Sequence, residues 1–159
     1  TSLASGEQLE KVFDIVVSDQ DRRLIVVSAP GKRFSKDIKV TDLLIATAQA
    51  WLKGSEDDDL FQAVINRYRS ITDSLGMSDE VIERITADLI ELLKGDRSNP
   101  EQFMDAIKES GEDNNAKLVA AYFQHRGIEA AYINPREAGL IVSSEPGNAQ
   151  VLPESYERL

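Results

Sequence analysis

The chain has no cysteine among its 159 residues, so it can form neither a disulfide nor a thiolate metal site. It has only one histidine, which argues against a zinc site. No apolar run approaches the roughly 18 residues that a membrane-spanning helix needs. Residues 1–20 are amphipathic and carry acids, unlike a secretory signal peptide. Together these absences favour a cytoplasmic protein that does not contact a membrane.

Positive charge is also scarce. The sequence has 28 acidic and 18 basic residues and a net charge of −10, which argues against binding of nucleic acid. Four of the acidic residues form the run at 56–59. We interpret this run as a helix start, because carboxylates interact favourably with the helix dipole there. A metal site is the weaker alternative, because neighbouring residues point in different directions around a helix.

One loop is basic in this acidic chain. Its cations are Lys32, Arg33, Lys36 and Lys39. Two interpretations stay open: the loop approaches phosphates or an incoming carboxylate substrate, or it is simply solvated.

Hydrophobic spacing predicts an α/β fold. Helices are predicted over 6–18 and 42–53, and strands over 24–29, 128–133 and 140–143. Residues 57–109 read as three helices without a strand pattern, and a further helix is predicted to open at Ser110 and run to Gly127. Alternation of strands and helices outside this helical excursion indicates at least partly parallel strand pairing.

Residues 24–44 read as a strand, a polar loop and a helix N-terminus, with Ser28 and Thr41 flanking the loop. In an α/β sheet such a corner binds anionic ligands, because the helix N-terminus offers free N–H groups. Ser2 and the run Ser110-Gly111-Glu112 occupy two further predicted corners at the same sheet edge. Ser and Thr at helix starts are most often plain caps, so these residues alone leave the choice open.

Several segments, taken in order, resemble the amino-acid kinase family in its aspartate kinase branch. They are TSLAS at 1–5, VVSAPG at 26–31 with VTDLL at 40–44, SGE at 110–112 with KLVAAY at 117–122, and GLIV at 139–142 with GNA at 147–149. The first resembles the end of a KFGGTS-type opening. The second and third favour aspartate kinase over glutamate, acetylglutamate, uridylate and carbamate kinase relatives.

The resemblance implies a partial three-layer αβα sandwich and ATP-dependent phosphorylation of L-aspartate to 4-phospho-L-aspartate, the first step toward lysine, threonine and methionine. It implies ATP and Mg²⁺ as cofactors and a homo-oligomer. Thr41 matches the substrate-contacting threonine, Glu112 the acid that meets the amino group, and Ser28 a serine of the same pocket. By the same resemblance, Thr1 and Ser2 are expected to bind ATP.

The family's phosphate-binding lysine would precede Thr1, so no catalytic residue is identifiable. We therefore expect residues 1–159 to be the N-terminal part of a kinase domain, with a helical excursion at 56–109. The rest of the kinase domain and the regulatory ACT domains would lie outside, and the piece alone would be inactive. The alternatives are another amino-acid kinase, of the glutamate or acetylglutamate type, and a non-catalytic α/β interaction module.

Overall fold

The computed structural model describes residues 3–55 and 57–159, and within them the regular structure is helical. The helices are α1 (Gly6–Val17), α2 (Val40–Leu52), α3 (Asp58–Ser74), α4 (Glu80–Leu93), α5 (Pro100–His125), α6 (Pro135–Ala138) and α7 (Ser155–Arg158). None of these helices is long and apolar enough to cross a membrane.

Side-chain caps fix three helix starts that the sequence predicts. Ser5 Oγ accepts the N–H of Gln8 at the start of α1. Asp57 Oδ1 accepts the N–H of Leu60 at 3.2 Å, so the described part of the acidic run is a helix start, as predicted. Asn99 Oδ1 accepts two N–H groups in the first turn of α5. Glu56 lies outside the described residues.

The prediction that a separate helix begins at Ser110 is wrong, because α5 runs unbroken from Pro100 to His125. Ser110 Oγ donates to the carbonyl of Ile107 at 2.7 Å, one turn back, instead of capping a new helix. Gly111 has no positive φ and continues the helix. The serine and glycine that suggested a break are instead buried packing residues.

The three predicted strands are not strands in the described residues. At 24–29 the chain has no regular structure, and the side chains of Leu24 and Val26 are 87% and 97% exposed. Residues 128–133 also lack strand pairing, and 140–143 contributes only an isolated antiparallel bridge between Val142 and Val151. A strand needs a neighbour to pair its backbone groups, and the described residues supply none beside 24–29.

The core forms where α2, α3 and α5 pack together, with α4 against α5 and α1 against α3. Fully buried side chains from the three central helices include Val40, Leu44, Val64, Tyr68, Ile107 and Leu118. Phe13 of α1 packs edge-to-face on Tyr122 of α5, with ring centroids 5.6 Å apart. The loop between residues 28 and 40, which carries the candidate site, lies on the surface of this core and contacts α3 and α5.

Candidate functional site

The loop that precedes α2 is closed by its own backbone. The N–H of Val40 donates to the carbonyl of Pro30 at 3.1 Å, which draws residues 31–39 into a closed loop, here called the corner loop. Ala29 and Pro30 are buried at its base, whereas Ser28 is exposed. Thr41 is partly buried in the first turn of α2. The corner predicted from the sequence therefore exists, although no strand leads into it.

Helix α5 packs directly on this corner. Asn115 is buried and donates from Nδ2 to the carbonyl of Ser28 at 2.6 Å. Gly111, one turn earlier, lies against Ala29 and Val40. Glu112 follows Gly111 and is exposed. The structure thus places Ser28, Thr41 and Glu112 on chain segments that contact one another, and a pocket shared by the three stays a prediction. Glu112 lies within a helix and not at the predicted helix start.

Close approach explains the glycine in α5. A Cβ on Gly111 would lie 2.9 Å from the Cβ of Ala29 and 3.0 Å from Cδ1 of Leu44, both shorter than ordinary contacts. We expect Gly111→Ala to destabilise the protein, because overpacking costs about 1–3 kcal/mol and outweighs the gain of about 1 kcal/mol in helix propensity. Urea unfolding measures the change, and a stabilised variant would contradict this packing.

Helix α3 supports the corner loop through a buried arginine. Arg67 is 4% exposed, and its Nη2 donates to the carbonyl of Gly31 at 2.6 Å. Its Nη1 donates to the carboxylate of Asp37 and to the carbonyl of Ile38. Arg33 donates to both oxygens of the same carboxylate, at 2.8 and 2.9 Å. Two guanidinium groups therefore converge on Asp37 and fold the corner loop against α3.

This arrangement sets the charge state of the loop. The Arg33 guanidinium, with Arg67 adding to its effect, holds the pKa of the Asp37 carboxyl well below its usual range, although burial opposes the shift. The same contact raises the pKa of Arg33. Arg33 is therefore committed to Asp37 within the loop. Lys32, Lys36 and Lys39 are exposed, and their approach to phosphate or carboxylate groups stays a prediction.

The next residue of α3 contacts α5. Tyr68 is fully buried, and its hydroxyl donates to the carbonyl of Gly111 at 2.9 Å, beside Glu112. Burial, reinforced by the charge of Glu112, raises the pKa of the Tyr68 phenol above its ordinary value, so the hydroxyl remains a donor in alkaline as well as neutral solution.

Sequence reasoning missed the residues that hold the site together. These are Asp37, Arg67, Tyr68 and Asn115. Tyr68 is a buried packing residue whose hydroxyl also bonds the carbonyl of Gly111. The available signal was a charged residue, Arg67, directly beside the apolar stripe of α3. Thr1 and Ser2, which are predicted to bind ATP, lie outside the described residues.

A separate polar cluster joins α4 and α5. Lys117 Nζ lies 2.5 Å from Asp88 and 2.6 Å from Asp113, and the hydroxyl of Tyr132 donates to Asp113. Burial opposes the charge of Lys117, but the two carboxylates together raise its pKa. The cluster borders an open cleft of about 600 Å³ between the two helices. Across residues 3–55 and 57–159, no group of three or more acidic, histidine or cysteine side chains could hold a metal ion.

Comparison with known sequences agrees with the geometry. The chain is 58% identical over 159 residues to aspartokinase 3 of Bacillus subtilis (strain 168), a match that covers 35% of that relative. It is 27% identical over 160 residues to the chloroplastic aspartokinase 2 of Arabidopsis thaliana, covering 98% of this chain and 29% of the relative. The chain thus spans about a third of the length of these curated relatives.

Solved structures give the same result at the level of the fold. The aspartate kinase of Clostridium acetobutylicum superposes with a TM-score of 0.67 at 30% identity, over 78% of this chain and 27% of that one. Escherichia coli aspartokinase III, in complex with lysine and aspartate, superposes with a TM-score of 0.77 at 24% identity, over 98% and 34%. Both neighbours have the α/β fold of amino-acid kinases. Because the profile of the amino acid kinase family also matches residues 1–159 throughout, the chain belongs to that family.

Proposed function

We propose that the protein containing this chain is an aspartate kinase, which transfers the γ-phosphoryl group of ATP to the β-carboxylate of L-aspartate and forms 4-phospho-L-aspartate. The observation that carries the proposal is the contact between the Ser28–Thr41 corner and the Glu112 segment of α5 in a member of this family. A structural relative, E. coli aspartokinase III, has been solved with aspartate and ADP.

The chemistry suits these residues. The β-carboxylate of aspartate has a pKa near 3.9, so it is an ionised nucleophile at pH 7 and needs no general base. Catalysis of phosphoryl transfer then depends on positioning and on neutralising phosphate charge. In the proposed site Glu112 accepts hydrogen bonds from the substrate ammonium group, and Thr41 donates to a carboxylate. No side chain caps α2, which leaves N–H groups of its first turn for the same carboxylate.

Ser28 completes the proposed pocket. Ser28 is exposed and its carbonyl accepts a hydrogen bond from Asn115, so its hydroxyl is accessible to a ligand. We propose Thr1 and Ser2 as ATP contacts. In the described residues no group of three or more acidic or histidine side chains could hold a metal ion, and we assign no Mg²⁺ ligand to them.

The finer fold belongs to the same proposal. Residues 24–29, 128–133 and 140–143 would pair as strands of a three-layer αβα sandwich in the full-length protein, with residues 56–109 as a helical excursion from its N-terminal part. The exposed apolar side chains of Leu24 and Val26 support this, since a sheet would bury them. We further propose that the full-length enzyme is a homo-oligomer and that this piece alone lacks kinase activity.

A substrate panel tests the proposed function. The full-length protein is assayed with ATP and, in parallel, aspartate, glutamate and N-acetylglutamate, and the acyl phosphate is trapped with hydroxylamine. We expect the highest kcat/KM with aspartate. A preference for either other acceptor would identify a different amino-acid kinase, and no acyl phosphate with any of the three would favour the non-catalytic interaction module.

A further inference from the structure

We propose that α3, the first helix of the excursion, positions the substrate corner through two consecutive residues, Arg67 and Tyr68. Arg67 holds the corner loop, and Tyr68 holds the stretch of α5 that carries Glu112. Both act through other residues and are positioning residues, with no substrate contact of their own. The consequence for substrate binding rests on the proposed function, whereas the consequence for the loop does not.

Arg67 ties the corner loop to α3, whereas the bonds among Arg33, Phe34 and Asp37 join the loop only to itself. Most of its residues are exposed, including Phe34 at 60%, and it has no regular secondary structure. Gly31 and Asp37 are the exceptions: both are buried, and both accept hydrogen bonds from Arg67. Arg67 donates hydrogen bonds to the carbonyls of Gly31 and Ile38, so it contacts the loop at both ends. Thr41 lies three residues beyond Ile38, so the position of the loop fixes the entry into α2.

Tyr68 acts on the opposite side of the site. In a regular helix the carbonyl of Gly111 is bonded along the α5 backbone, and the Tyr68 hydroxyl uses its second lone pair at 2.9 Å. This bond sets how far α5 lies from α3 at the point where Gly111 meets Ala29 and Val40. Glu112 is the next residue, so its backbone position depends on the same contact.

Adjacent residues on a helix project about 100° apart. Arg67 and Tyr68 therefore face two different neighbours from one rigid segment, the corner loop and α5. α3 then acts together with the direct packing of α2 on α5 to set the distance between Thr41 and Glu112. This assigns a role to a helix that carries none of the predicted substrate residues.

The test uses Tyr68→Phe, Arg67→Lys and Arg67→Met in the full-length protein. Tyr68→Phe removes only a hydroxyl, and we expect it to raise the KM of the carboxylate acceptor about five- to tenfold, the loss of one buried hydrogen bond, while the KM of ATP stays unchanged. Arg67→Met should raise the acceptor KM further. Arg67→Lys keeps the charge beside Asp37 but not the fork of donors, so its effect should be intermediate.

Two matched variants serve as controls. Tyr122→Phe removes the hydroxyl of another buried tyrosine, one that accepts from Arg126 at 2.6 Å far along α5 from Gly111. Arg69→Met removes an arginine of α3 whose ion pair with Asp79 is exposed. Both should leave the two KM values as in the wild type. If they change the acceptor KM as much as the α3 variants do, the effect is general loss of packing and the proposal is wrong.

Hydrogen exchange gives a readout that is independent of substrate. The N–H groups of Arg33, Asp37 and Val40 are hydrogen-bonded within or at the end of the corner loop. We expect Arg67→Met to speed their exchange, with no such change in Arg69→Met. If the wild type phosphorylates none of the three acceptors, the proposed function fails, and exchange alone decides the positioning role. Unchanged exchange in Arg67→Met would overturn that role whatever the activity.

Discussion

Replacing Asp37 by Asn is expected to lower the free energy of unfolding by about 3–5 kcal/mol, because it leaves the charge of a buried arginine without its partner. The side chains of Asp37 and Arg67 are only 8% and 5% exposed, so water cannot replace the lost carboxylate. Arg33 loses the same partner, but its side chain is 38% exposed and can be hydrated. Urea unfolding of the wild type and the variant measures the difference.

A matched exposed pair provides the control. Asp79 pairs with Arg69 at 2.9 Å, but the two side chains are 67% and 43% exposed. Asp79→Asn should therefore cost less than about 1 kcal/mol, as surface ion pairs do. A similar loss in both variants would show that burial of the Asp37 pair does not matter.

The same carboxylate predicts an acid sensitivity. The pKa of Asp37 is depressed in the folded state, so its contribution to stability is fully present above the unfolded-state value of about 3.9. The contribution is lost progressively as the pH falls below that value toward the depressed one. The stability gap between wild type and Asp37→Asn should thus be constant from neutral pH down to about pH 5 and shrink at lower pH. A gap that grows on acidification would contradict the assigned charge state.

Replacing Glu112 by Gln in the full-length protein is expected to raise the KM of aspartate by about ten- to a hundredfold, since a charge-assisted hydrogen bond contributes about 1.5–3 kcal/mol. Glutamine has the same size, so α5 can keep its contacts with the corner. The KM of ATP should change little, because the proposed partner of Glu112 is the ammonium group of aspartate. Steady-state kinetics with each substrate varied in turn separate the two effects.

The neighbouring carboxylate tests whether this effect is specific. Glu109 lies one turn before Glu112 on α5 and is also exposed. Glu109→Gln should leave both KM values close to those of the wild type. Equal rises in the KM of aspartate and of ATP for Glu112→Gln would contradict its assignment to the substrate ammonium.

The helices could be predicted from the sequence because their signals are local. The Asn99 cap with its following proline, the acidic start at Asp57 and the periodic stripe of α3 each depend on residues within a few positions. The false helix start at Ser110 shows the limit of this reasoning. Gly111 lacks a side chain because a distant segment, at Ala29, packs against it, and no local pattern reveals that contact.

The site could be predicted only in part, because the contacts that assemble it are not local. Ser28, Thr41 and Glu112 come from a family resemblance, and the structure places their segments together, while their roles toward a substrate stay predictions. The contacts that hold them together join residues 29 to 87 positions apart, such as Arg67 with Ile38 and Asn115 with Ser28. The strands could not be predicted reliably, because the hydrogen bonds of a strand need a second chain segment and a single apolar run does not reveal one.

The bare segment Leu24–Val27 has a practical consequence. It is apolar, β-branched for the most part and without charge, and it exposes most of Leu24 and Val26 to solvent. Such a stretch without a neighbouring strand is a template for association with other copies. Preparations of residues 1–159 alone will therefore need a low protein concentration or a solubilising fusion. Soluble expression will improve when a strand that pairs with Leu24–Val27 is supplied.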